Sequence, residues 1–221
     1  MEKKILNALT RCPLFNGISE EGLEQIVAST KHKIVTFDKK DIYILAGMPY
    51  RHVDVVVEGE MVARMVSLSG KSVEVSRLVV GDLVAPAFIF AKDNLMPVSV
   101  ETEKETTMMR MSKADFMELI DTDPVLRRNF IATLSNIDVF LTKKMRVLSL
   151  FTVREKVSYF LKEASGKQGS NVVLLDKSRQ KITESFGIQK FSLLRTMSEL
   201  QEAGAIRVEG KRITILDRSK L

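Results

Sequence analysis

Four glycines divide residues 33–111 into short β-rich runs. Gly47, Gly59, Gly70 and Gly81 follow one another at steps of 12, 11 and 11 residues, and the runs between them are rich in valine and other β-forming residues. Regular turn signals at this interval are typical of an antiparallel sandwich or roll. No segment of helical length separates the runs, which disfavours a parallel α/β sheet, because parallel strands need a crossover connection.

The same runs predict the strand boundaries. They are KIVTF (33–37), DIYILA (41–46), HVDVVVEG (52–59), EMVARMVSL (60–68) and KSVEVSRLV (71–79). The sequence VVEGEMV around Gly59 predicts a tight hairpin, because glycine adopts the positive φ that such turns need. The run PVSVETEKETTMMRM (97–111) predicts one or two closing strands.

Helical periodicity precedes and follows this β-rich region. Ser19 and Ser112 stand where N-caps are expected. After Pro124, a segment of about 25 residues, roughly 37 Å long at 1.5 Å per residue, carries a heptad-like apolar stripe. The stripe consists of Phe130, Leu134, Ile137, Leu141 and Leu148. It either packs on its own sheet or meets a second copy of the chain. We favour a homodimer, because a helix this long projects beyond a domain of this size.

The last third of the chain has the element order of a winged helix-turn-helix. A helix from Thr152 to Ser165 is followed by the short strand VVLLD and by a helix that starts near Ser178. Gly187 then provides the tight turn before a second helix, which ends at Gly204. AIRVEGKRITIL, with Glu209-Gly210 in its turn, predicts a β-hairpin that forms the wing.

The net positive charge lies in the same last third of the chain. Residues 1–150 carry 20 Lys and Arg against 20 Asp and Glu, whereas residues 151–221 carry 14 against 8 and so hold the whole net charge of +6. A basic module attached to a neutral one indicates a polyanionic partner, although a solvated basic surface is the alternative. On the second helix, Ser192, Arg195 and Glu199 follow one another at steps of 3 and 4 and form its predicted outward face, with Lys190 at its start. The predicted DNA contacts are Ser178 at the start of the first helix, Gln189, Lys190, Phe191, Ser192 and Arg195 on or beside the second, and Arg207, Lys211 and Arg212 in the wing.

The low counts of cysteine and histidine disfavour disulfide, haem and metal sites. Cys12 is the only cysteine, which excludes a disulfide framework or a four-cysteine metal site in one chain. We expect it to be an inert apolar side chain rather than a redox sensor. His32 and His52 are the only histidines, so neither a haem nor a metal enzyme of the cupin type is favoured. We predict no catalytic residues, no metal and no cofactor; a non-DNA dimerisation module is the other alternative.

Neither a membrane protein nor a secreted one is predicted. The longest apolar run, Leu83–Ala91, is too short to span a bilayer. The N-terminus lacks the continuous apolar core of a signal peptide. A cytoplasmic location is therefore expected.

Along nearly its whole length the chain resembles the cyclic-AMP receptor protein/FNR-type bacterial transcription regulators. The residues that carry the resemblance are VEGEMVARMVSLSGKSVEVSRLVVGDLV, the long helix and SRQKITESFGIQKFSLLRTMSELQEAGAI. The resemblance implies an α+β protein with a β-roll sensor domain (1–122), a dimerisation helix (123–150) and a winged helix-turn-helix domain (151–221). It also implies a homodimer that reads a two-fold symmetric DNA site, contact with RNA polymerase, and a small-molecule effector.

The chain departs from the family where cyclic AMP would bind. After Gly81-Asp82, the positions of the ribose-binding and phosphate-binding pairs are Ala85-Pro86 and Met96-Pro97. Neither pair supplies a carboxylate or a guanidinium, and an unpaired buried phosphate is costly. We therefore predict no useful binding of cyclic AMP. Ala85, Pro86, Met96, Pro97 and Val98 would line a pocket for an apolar effector, or would simply be core.

The second helix of the helix-turn-helix departs from the family as well. Of the family's base-reading residues only the last survives, as Arg195, while the preceding Arg-Glu pair becomes Lys190-Phe191. We expect a DNA site that differs from those of the cyclic-AMP receptor and FNR proteins.

Overall fold

The computed structural model describes residues 1–67, 70, 72–176 and 178–221. The chain forms two compact units, one of residues 1–70 and 74–140 and the other of residues 71–73 and 141–221. Leu68 and Lys71, at the ends of two of the strands predicted above, lie outside the described residues.

The N-terminal unit contains two antiparallel sheets. Helices α1 (Glu2–Arg11) and α2 (Glu20–Ser29) precede them, and the Ser19 hydroxyl caps α2 by accepting the Gly22 N–H as predicted. One sheet has the strand order β1-β7-β3 and the other β2-β6-β4-β5. Their bounds are β1 Lys33–Phe37, β2 Ile42–Ile44, β3 His52–Glu58, β4 Glu60–Val66, β5 Ser72–Val79, β6 Ser99–Thr102 and β7 Thr106–Ser112.

The predicted hairpin at Gly59 is wrong. Strands β3 and β4 are consecutive, but they belong to different sheets, and the chain crosses from one sheet to the other at Gly59. Gly59 has φ +95°, and a Cβ there would collide with the Glu105 carbonyl oxygen. The glycine therefore permits a sharp corner against β7 rather than a turn back along the same sheet.

Apolar side chains fill the space between the sheets and helices of this unit. Helix α3 (Lys113–Thr122) begins at the predicted cap Ser112, whose hydroxyl accepts the Asp115 N–H at 3.1 Å. Helix α4 (Pro124–Leu150) follows directly. Phe116 packs edge-on against Phe130, with ring centroids 5.3 Å apart, so the first turns of α4 are anchored in the core.

The C-terminal unit is built on three helices and a small sheet. Helix α5 is Val153–Gln168, α6 is Arg179–Phe186 and α7 is Lys190–Glu202; β8 is Val172–Leu174, β9 is Ile206–Glu209 and β10 is Arg212–Ile215. A capping box starts α5, in which Thr152 and Glu155 satisfy each other's backbone N–H groups. The sheet order is β8-β10-β9. The predicted α+β class, with antiparallel sheets, a long helix and a winged helix-turn-helix, is confirmed.

In the described part of the chain, no helix combines the length and the apolar character needed to cross a membrane.

Candidate nucleic-acid interface

Helices α6 and α7 meet at a tight turn. The Ser178 hydroxyl starts α6 by accepting the Lys181 N–H at 3.2 Å. Gly187 ends it with φ +61°, and the Ile188 N–H donates to the Thr183 carbonyl at 3.1 Å. The turn needs a left-handed residue, which glycine supplies without strain. This is the geometry that places a second helix across the first.

Thr183 is a polar residue in the middle of α6. It is almost completely buried, and its hydroxyl donates to the Gln180 carbonyl at 2.7 Å. A buried hydroxyl that is satisfied within its own helix carries no desolvation penalty. Helix α6 therefore buries Thr183 without leaving its hydroxyl unpaired.

Helix α7 has one buried and one exposed face. Its buried side chains are Leu193, Thr196, Met197 and Leu200. Its exposed side chains include Phe191, Arg195, Ser198 and Glu202, at steps of 4, 3 and 4, which we call the α7 outer stripe. Ser192 and Glu199, which the sequence placed on the outward face with Arg195, are only half-exposed and lie beside the stripe. Sequence reasoning missed Ser198 and Glu202, although the apolar spacing of the buried face was the signal for them.

Arg195 is held by a carboxylate in the free protein. Its Nε donates to Glu199 Oε1 at 2.9 Å, one helical turn away. An exposed pair of this kind contributes about 0.3–0.5 kcal/mol, so it orients the guanidinium without locking it. Arginine can pair bidentately with guanine O6 and N7, so the weak bond to Glu199 can be exchanged for a base contact.

The ends of α7 differ in how they are capped. Gln189 stands at the N-cap and its side chain makes no capping hydrogen bond. First-turn N–H groups without a side-chain acceptor favour an anion. At the other end Gly204 has φ +70°, and the Ala205 N–H donates to the Leu200 carbonyl at 2.9 Å. The predicted C-terminal glycine is thus confirmed as a Schellman-type stop.

The wing carries exposed cations. Strands β9 and β10 pair with Glu209 opposite Arg212, and Gly210, with φ +62°, lies in the turn with Lys211. Arg207, Lys211 and Arg212 are all exposed. Arg179 Nη2 donates to the Gly210 carbonyl at 3.3 Å, so the tip of the wing is tied to the start of α6. The wing cations and α7 therefore belong to one connected module.

The predicted effector residues lie in or on the core of the N-terminal unit. Pro86, Met96 and Val98 are buried, Ala85 is half-buried and Pro97 is exposed. The Met96 N–H donates to the Met48 carbonyl at 3.0 Å, and the Met96 carbonyl accepts the Gly47 N–H at 2.8 Å. The backbone at Met96 is therefore already paired, and Pro97 has no N–H to offer a phosphate.

A buried polar network adjoins this segment and escaped sequence reasoning. Asp54 is completely buried, and Arg110 Nε and Nη2 donate to its two oxygens at 2.9 and 2.7 Å. Tyr43 Oη also donates to Asp54 at 2.7 Å, and Tyr50 Oη donates to the Val84 carbonyl at 2.9 Å. Burial raises the pKa of both tyrosine hydroxyls. The signal in the sequence was an aspartate inside the valine run of β3.

Cys12 lies in the core of the N-terminal unit. It is completely buried, and burial raises the pKa of its thiol to about 12. A thiol with this pKa forms no reactive thiolate near neutral pH. Its environment is that of an apolar core residue.

The apolar stripe of α4 is divided between core and surface. Phe130 is 6% exposed and Leu134 is half-buried against the same core. Their contact with a second copy stays a prediction. Ile137 and Leu148 are half-exposed. The large exposed apolar side chains of α4 are Ile131, Val139, Phe140, Leu141, Met145 and Leu150.

Two domain families match the chain. The cyclic nucleotide-binding domain family matches residues 34–123, and the Crp-like helix-turn-helix domain family matches residues 155–221. The first covers the two-sheet unit from β1 through α3, and the second covers α5 to the end of the wing. No curated protein matches the sequence.

Solved structures share the fold. The c-di-GMP-responsive regulator CLP of Xanthomonas campestris is 17% identical, with 87% of this chain and 97% of that chain covered and a TM-score of 0.68. A CooA variant of Carboxydothermus hydrogenoformans is 16% identical, with 86% and 85% covered and a TM-score of 0.70. The catabolite activator protein of Thermus thermophilus is 17% identical, with 94% and 95% covered and a TM-score of 0.55.

Proposed function

We propose that this chain, which belongs to the CRP/FNR-type transcription regulators, binds duplex DNA as a homodimer at a two-fold symmetric site. The observation that carries the proposal is the α7 outer stripe, with Arg195 at its centre, next to the exposed wing cations of the same module. A helix of this kind fits the major groove, where arginine pairs with guanine. The wing cations suit phosphates, which position the protein without reading sequence.

Arg195 and Arg212 provide the test, because they are assigned different roles. We expect Arg195→Ala to weaken the preferred site by about 1–3 kcal/mol and to relax its specificity at one base pair. Arg212→Ala should instead weaken all sequences similarly and reduce the dependence of log K on log[salt] by about one unit. Fluorescence anisotropy against preferred and scrambled duplexes at several salt concentrations measures both quantities. Identical behaviour of the two variants would refute the assignment.

The homodimer is supported by the exposed apolar side chains of α4. From Val139 onward, α4 carries Phe140, Leu141 and Met145 in contact with water. Exposed apolar residues concentrated on one helix mark an interaction surface, and a second copy of the same helix is the simplest complement for a two-fold DNA site.

The sensor unit differs in function from a cyclic-AMP receptor in this proposal. Met96 and Pro97 supply neither a cation nor a free N–H for a cyclic phosphate. The unit then responds to a different small molecule, of apolar character, or acts without one. Contact with RNA polymerase and a cytoplasmic location are further parts of the proposal, taken from the family.

A further inference from the structure

Phe191 is an apolar side chain on the face of α7 that carries the cations. It is 73% exposed, and no other large apolar side chain in the described parts of α6 and α7 is exposed. Lys190 precedes it and Arg195 lies one turn further along the same face. A neighbourhood of two cations fits a polyanion better than the apolar surface of another protein.

The chemistry of the major groove limits what a phenylalanine can contact there. Base edges present hydrogen-bond donors and acceptors to the groove, and phenylalanine can use none of them. The one apolar group that the four bases offer is the C5-methyl of thymine. An exposed phenylalanine in the first turn of a groove-reading helix therefore has a single favourable base contact.

We infer that Phe191 packs against the C5-methyl group of a thymine and selects for that base in each half-site. This inference rests on the proposed function, since it requires α7 to enter the major groove. Phe191 and Arg195 are four residues apart, which is about 6 Å along the helix axis. The thymine therefore lies within about two base pairs, at 3.4 Å each, of the base pair that Arg195 reads.

The test removes one methyl group from the DNA and one ring from the protein. A duplex enriched by the full-length chain from a random pool is synthesised with deoxyuridine in place of each thymine in turn. At one thymine per half-site, we expect the native protein to lose about fourfold in affinity, which corresponds to one buried methyl-sized group. Substitution in both half-sites should cost about fifteenfold. Phe191→Ala should bind the thymine and deoxyuridine duplexes equally.

Two controls isolate the contact. Leu216→Ala removes an exposed apolar side chain of the same unit outside α6, α7 and the wing strands, and should keep the full response to deoxyuridine. Cytosine and 5-methylcytosine at the same position should differ by a similar factor for the native protein and not for Phe191→Ala. Both substitutions are at exposed positions, so circular dichroism should report unchanged folding.

The outcomes separate the inference from the proposed function. An enriched site at which the native protein tolerates deoxyuridine everywhere overturns the role of Phe191 and leaves DNA binding intact. The same holds if Phe191→Ala keeps the native response to the methyl group. Failure to enrich any duplex overturns the inference together with the proposed function.

Discussion

Asp54 is the residue on which the polar interior of the N-terminal unit depends. Its carboxylate accepts three hydrogen bonds from two nitrogens of Arg110 and one from Tyr43, and no part of it reaches water. Breaking a buried ion pair by removing one partner costs about 3–5 kcal/mol, because the other charge is left unpaired. We expect Asp54→Ala to lower the free energy of unfolding by this amount.

The matched control is an exposed ion pair. Lys4 Nζ lies 2.7 Å from Glu58 Oε2, and both side chains are more than half exposed. Lys4→Ala should cost less than about 1 kcal/mol. Urea unfolding followed by tyrosine fluorescence suits the comparison, because the chain has no tryptophan and two of its three tyrosines belong to the Asp54 network. If Asp54→Ala and Lys4→Ala lowered the free energy of unfolding equally, the stabilising role assigned to Asp54 would be contradicted.

The tyrosines of the same network predict a loss of stability in alkali. Burial raises the pKa of Tyr43 and Tyr50 in the folded state. Below the unfolded-state pKa of about 10, their contribution to stability is fully present. As the pH rises above that value the unfolded chain ionises first, so the folded state loses stability.

At the scale of elements, helix α4 is buried near its N-terminus and exposes apolar side chains nearer its C-terminus. Its first turns are buried through Phe130, whereas Leu141 and Met145 are exposed. We expect Leu141→Glu and Met145→Glu to dissociate the proposed dimer, because each would place a carboxylate in an apolar interface. Sedimentation equilibrium measures the result. Asn136→Glu adds the same charge at an exposed position off the stripe, and should leave the dimer intact.

A native protein that sediments as a monomer at tens of micromolar would contradict the dimer directly. So would a dimer that both glutamate variants leave unchanged.

The sequence predicted where helices and turns begin and end better than it predicted which strands pair in a sheet. Caps at Ser19, Ser112 and Ser178 and stops at Gly187 and Gly204 follow from local chemistry and were confirmed. Gly59 was a correct turn signal but gave a wrong hairpin, since a glycine specifies a backbone conformation and not the sheet that the next strand joins. Such pairings depend on contacts between residues distant in sequence.

In the candidate site too, features set by local sequence were predictable and contacts between distant residues were not. The helix-turn-helix and the wing were predictable because their period, turn glycines and charges are local. The structure exposes Ser198 and Glu202 of α7 more than the predicted Ser192 and Glu199. The spacing of apolar residues defines the buried side of a helix better than the polar residues define its exposed side. The Asp54–Arg110 pair joins residues 56 positions apart and has no local pattern.

At the scale of the whole molecule, we predict that the N-terminal unit does not bind cyclic AMP. Met96 and Pro97 supply neither a cation nor a free N–H to hold a cyclic phosphate. Titration calorimetry of the full chain with cyclic AMP should therefore give millimolar or weaker binding. Micromolar binding would overturn this part of the account.

The central claim is that the chain reads a two-fold symmetric DNA site through α7. Its most direct test is the selection of bound duplexes from a random pool by the purified full-length protein, without added ligand. We expect an enriched inverted repeat whose half-sites are about one helical turn, roughly 10 base pairs, apart. Enrichment of a single unrepeated motif, or of no motif at all, would contradict it.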